Sequence, residues 1–153
     1  MCWRCDGMSW EEIEVRQRAL IEEHGWMVQT VEPEPDTVPF AYTVGLTRYH
    51  DHPELLVSGL PAEVAGPVLN QMGRQVREGE RFTAGDVLVK DGTELFFVLL
   101  PVEDPYEMVT AQEIYNDDGA RPVPGLQMVW SDAYGRLPWE EQWLGGWPQE
   151  LFS

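Results

Sequence analysis

Residues 40–46, FAYTVGL, alternate so strictly that they leave little choice of local conformation. In a strand, successive side chains point to opposite sides. Phe40, Tyr42, Val44 and Leu46 therefore share one face, and Ala41, Thr43 and Gly45 the other. The bulky face fills a core, and the nearly bare one lets another backbone come close. A helix laid across the bare face accounts for the pattern; a flat ligand lying there is the alternative.

The flanking segments supply the partners for such a strand. Ser9 to His24 reads as a helix, opened by the capping box Ser9/Glu12, with Glu11, Glu12 and Glu14 near its positive end. Trp10, Ile13, Leu20 and Ile21 share one face, and Gly25 is placed to stop the helix. Trp26 to Val31 is a short strand. Glu54 to Ser58 is another, reached through the turn TRYHDHP. Pro61 opens a helix running to Glu78, with Val64, Val68, Leu69, Met72 and Val76 inward and a kink or late start at Pro67.

Asp86–Lys90 and Thr93–Val102 form a hairpin turned on Asp91-Gly92. LFFVLL, apolar on both faces, is expected to be a strand covered on both sides. A third helix spans Asp104–Tyr115, and Leu126–Ser131 is the last strand. The tail, 140–153, reads as irregular and free to fray, and residues 1–8 as a terminal arm. The fold class is α+β, a single domain over 1–153. It is a mainly antiparallel sheet of about five to six strands with two or three packed helices.

Charge narrows the partners. With 27 acidic against 10 basic residues the net charge is −17. That repels nucleic acid and anionic membranes, and suits a basic protein partner or plain solubility. No apolar run reaches the roughly 18–20 residues a bilayer span needs. MCWRCDGMSWEE also lacks the pattern of a signal peptide. A cytoplasmic protein is expected. The seven tryptophans gather near the two ends of the sequence. Either those ends pack together, or the tail forms an interface with a partner or a second copy, as a homodimer would.

Chemistry-bearing residues are few. Cys2-x-x-Cys5 supplies half of a tetrahedral zinc site, for which His50 and His52 are the candidate further ligands. Exposed thiols are the plainer reading. His24 at a helix end acts as a capping charge, next to Trp26, which could wall a pocket. Nucleophile elbow, P-loop, HExxH and dinucleotide-binding signatures are all missing. No catalytic residue can be assigned.

The arrangement CxxC, His24-Gly25-Trp26, PFAYTVGL, HPELLVSGL, Gln127-Met128-Val129-Trp130-Ser131-Asp132, Gly135 and Pro138-Trp139 resembles the bacterial domain-of-unknown-function 4262 family. The resemblance implies a small cytoplasmic bacterial protein and no assigned activity. It implies that His24, Trp26, Tyr42, Thr43, Gly45, His52, Glu54, Gln127, Trp130 and Asp132 belong to the family pattern. These ten are the candidate ligand-binding residues.

Three functions are compatible with these residues. The first is a pocket protein for a small molecule or a metal, with zinc as the candidate cofactor. The second is an acidic interaction module, such as an immunity-type inhibitor or a decoy for a basic surface. The third is a thiol- or histidine-dependent enzyme.

Overall fold

A computed structural model describes residues 7–32, 35, 37–89, 92, 94–116, 122–146 and 148–152. Helix α1, Trp10–His24, starts on the capping box the sequence contains: Ser9 Oγ accepts from Glu12 N–H, and the Glu12 carboxylate accepts from Ser9 N–H. It stops at Gly25, whose φ of 90° only glycine adopts without strain.

Strands β1 (Met27–Val31), β2 (Phe40–Val44) and β3 (Glu54–Ser58) form one antiparallel meander. Strands β4 (Val87–Val89), β5 (Phe96–Pro101) and β6 (Gly125–Trp130) form a second. Parallel pairing of β3 with β6 fuses them into one six-stranded sheet of order β1-β2-β3-β6-β5-β4. The α+β class and the mainly antiparallel sheet hold, and the single parallel pair lies at the centre.

The bare face of β2 receives a helix. Helix α3, Ala62–Arg77, packs on β1, β2 and β3, and brings Ala65, Leu69, Met72 and Val76 against Ala41, Leu55 and Val57. Pro67 neither delays nor ends this helix; it sits in an exposed turn, where the ladder loses one N–H and nothing else. The bulky face meets α1 and α4 (Val109–Tyr115), where Ile21, Met108, Ala111 and Ile114 surround Tyr42 and Val44.

Four expectations need correction. The TRYHDHP turn contains a short helix, α2 (Leu46–His50). The helix expected over 104–115 is a 3-10 turn, Pro105–Glu107, followed by α4. On LFFVLL, Leu99 is buried but Phe96, Phe97, Val98 and Leu100 are only half-buried, because the helices pack on the β1–β3 half of the sheet. Residues 148–152, expected to be free to fray, are pinned to the sheet. Among the described residues no helix is long and apolar enough to cross a membrane.

Packing is close where α3 crosses the start of β1. A Cβ on Gly73 would lie 2.5 Å from the Trp26 indole. Gly73→Ala should therefore cost about 1–3 kcal/mol in urea unfolding, the usual range for overpacking. An unchanged midpoint would show that the indole yields freely.

Candidate functional site

Strand β1 is an edge strand, paired only with β2. Its sequence, MVQTV, carries no charge, proline or glycine, the features that commonly guard an edge. Helices α1 and α3 rise on either side of it. Between them runs an open groove of about 1170 Å³, larger than most small-molecule sites. Trp10, Gln17 and His24 line it from α1; Asn70, Arg74 and Arg77 line it from α3.

Spacing explains the α3 wall. Asn70, Arg74 and Arg77 are at i, i+4 and i+7, so they form one stripe. Trp26 Nε1–H donates to Asn70 Oδ1 at 3.0 Å, and the Arg77 guanidinium stands 5.3 Å from the centre of the Trp26 ring. The indole is thus clamped by an amide and a cation. Across the groove, Gln17 donates to Gln29 at 3.4 Å, and His24 lies 3.7 Å from the Glu23 carboxylate.

A hydrogen-bonded knot lies behind Trp26. Gly45 has a φ of 122°, and a Cβ there would come within 3.0 Å of Trp26 Cα and 2.7 Å of the Ile21 side chain. No other residue fits. Glu54, fully buried, accepts from Thr43 Oγ1–H at 2.8 Å and from the N–H groups of Gly45, Leu46 and Thr47 at 3.1–3.2 Å. Thr43 Oγ1 in turn accepts from Leu55 N–H. Since the N-cap residue Gly45 has no side chain, this carboxylate from β3 satisfies the opening N–H groups of α2. Burial pushes Glu54 up to about 7, against those four hydrogen bonds, which favour its ionised form.

His52 is committed as well. Its Nδ1 lies 2.8 Å from Pro53 O, and its Nε2 accepts from Phe82 N–H at 2.9 Å, which selects the neutral Nδ1–H tautomer. Burial, with Arg81 adding to it, holds its pKa below the ordinary histidine value. His50 Nε2 is buried without a hydrogen-bond partner, against Gly25, and burial lowers its pKa too.

The remaining candidates lie elsewhere. Tyr42 Oη accepts from Thr110 N–H in the first turn of α4. Gln127 and Trp130 hold residues 148–152. Asp132 accepts from the N–H groups of Tyr134, Arg136 and Leu144 and from the Arg136 guanidinium. Burial works to raise its pKa, but those bonds together hold the carboxyl well below the usual range. The structure thus brings His24 and Trp26 into the groove and packs Thr43, Gly45, Glu54, His50 and His52 behind it. Tyr42, Gln127, Trp130 and Asp132 stand apart.

Cys2 and Cys5 lie outside the described residues. Among the described residues no three His, Cys, Asp or Glu side chains are grouped to hold a metal, and both ring nitrogens of His52 are engaged. The sequence reading missed Asn70, Arg74 and Arg77, since a polar stripe on a helix looks the same whether it faces water or a groove. Their i, i+4, i+7 spacing was the available signal.

A family model described as Domain of unknown function (DUF4262) matches residues 20–144. The chain belongs to the DUF4262 family. No curated protein and no solved structure matches it. The matched span takes in β1, α3 and the knot of this DUF4262 domain, and it ends before residues 148–152.

The knot makes stability depend on pH. Glu54 has a folded pKa of about 7 against an ordinary 4.5, so between those values the folded state binds more protons at this group. Its contribution is fully present below pH 4.5 and is lost as pH rises through about 7. The lowered histidines act in the opposite sense, their contribution being fully present above the ordinary histidine value and lost as pH falls below it. Comparing wild type with Glu54→Gln isolates the carboxyl. Urea unfolding should show the stability advantage of wild type shrinking from pH 5 to pH 8. The amide also faces two N–H groups with its own N–H₂, which should cost about 1–3 kcal/mol at pH 5. A pH-independent difference would remove the carboxyl from this role.

Proposed function

We propose that this DUF4262 chain is a binding domain without catalysis, and that its ligand is a small planar organic anion held in the groove along β1. The observation that carries the reading is the α3 wall. In a chain of net charge −17, two of ten basic residues stand one helical turn apart over the same cleft. A guanidinium offers a fork of donors matched to a carboxylate or phosphate. The clamped Trp26 indole and the exposed Trp10 add aromatic walls for a flat ring.

Non-catalytic binding is supported by what the buried titratable groups do. Glu54 and His52 direct their polar atoms to backbone and to Thr43. They hold the floor of the groove in place and leave nothing aimed into it.

Benzoate and its neutral counterpart benzamide, titrated while tryptophan emission is recorded, test the proposal. Benzoate should give a saturable change and benzamide none. Arg74→Ala with Arg77→Ala should weaken the benzoate response about tenfold or more, the loss of one or two charge-assisted hydrogen bonds. His24→Ala should keep the fold and alter only the response. Equal responses to both compounds, or an unaltered benzoate response in the arginine double variant, would overturn the proposal.

A further inference from the structure

The carboxyl ends of β3 and β6 lie side by side at the sheet centre, where the two meanders meet. The chain leaves β3 through α3 on one face and reaches β6 from α4, which packs on the other. Residues 148–152, PQELF, run from the carboxyl end of β6, at Trp130, over Ser58 and Gln127 to Phe40.

The way this strap is held is specific. Ser58 and Gln127, both fully buried polar residues, reach its backbone. Ser58 Oγ donates to Glu150 O at 2.6 Å and accepts from Glu150 N–H at 3.0 Å. Gln127 Nε2 donates to Glu150 O at 2.7 Å, and its Oε1 accepts from Phe152 N–H at 2.7 Å. Trp130 Nε1–H donates to Ser58 O and so fixes the rim. Pro148 O sits where any side chain on Gly59 would stand, and Gly59 has a φ of 84°. From the strap's own side chains, the Gln149 amide bonds the Trp130 backbone and Phe152 packs on Phe40.

We propose that this set of Ser58, Gln127 and Trp130 is a receptor for an extended peptide segment, filled here by residues 148–152 of the same chain and open to the same segment of a second copy. Three features support exchange. Recognition falls mainly on backbone atoms, which are identical whichever chain supplies them. The chain is anchored again upstream, by Leu144 N–H on the Asp132 carboxylate, so the strap can leave without loosening the 132–144 loop. Gly145 and Gly146 lie between the two anchors, where a hinge needs freedom. Ser58, Gln127 and Trp130 lie within the family match of residues 20–144, and the strap lies beyond it.

The strap of the same chain competes with any peptide added in solution, so weakening it must expose the receptor. Glu150→Pro removes the N–H that bonds Ser58 and leaves the receptor residues unchanged. Fluorescein-labelled PQELF, followed by anisotropy, should bind the full-length Glu150→Pro chain about tenfold or more tighter than wild type. The peptide PQPLF should not bind, and adding Gln127→Leu to the Glu150→Pro chain should abolish PQELF binding. Equal affinity for wild type and variant, or binding indifferent to Gln127, would overturn the proposal. Should Glu150→Pro fail to fold, hydrogen exchange on wild type decides. The Glu150 and Phe152 amides must then open about tenfold or more often than Leu56 and Val129 in the strands beneath. Exchange of all four only by global unfolding would make the strap a fixed part of the core.

Discussion

The parallel contact between β3 and β6 is the constraint on which everything else rests. Among the described residues it is the pairing that joins the two meanders, and it puts Glu54 opposite Gly125 and Leu56 opposite Gln127. Because both strands are fully buried, the polar residues they carry must find partners inside the protein. Glu54 at one end ties down the start of α2. Ser58 and Gln127 at the other end tie down residues 148–152. One buried pair of strands thus organises a helical turn on one side and a strap on the other.

A shared logic runs through the candidate residues that the sequence singles out. Side chains on or just after the strands complete the bonding of backbone that has no local partner: Glu54 for α2, Tyr42 for α4, Gln127 for the strap, and Asp132 for the 132–144 loop. Unpaired buried backbone groups are expensive, and each of these side chains satisfies at least one. The pattern visible in the sequence is therefore mostly a record of how loops are held. The groove's own wall comes from Asn70, Arg74 and Arg77, outside that pattern.

What could be read from the sequence followed the range of the interaction. Helix α1 was legible because its capping box, dipole charges and stop glycine are all local. The alternation in β2 foretold the helix on its bare face for the same reason. Helix α2 was hidden because its cap comes from Glu54, eight residues beyond Leu46 and on another element. The pinned strap was hidden because Ser58 and Glu150 are 92 residues apart. Parallel pairing of β3 with β6 crosses the whole α3-to-α4 excursion, and no pattern within either strand announces it.

The two outer edges of the sheet are defended by different means. Strand β4 is only three residues long, so its exposed Val87 and Val89 offer little ladder to a neighbour. Strand β1 is longer and uncharged, but α1 and α3 stand above and below it like the banks of a channel. A slender guest can reach it, whereas a neighbouring sheet flanked by its own helices is too thick to enter. The groove thereby acts as a size filter against fibrous association, leaving an otherwise adhesive edge usable in a crowded solution.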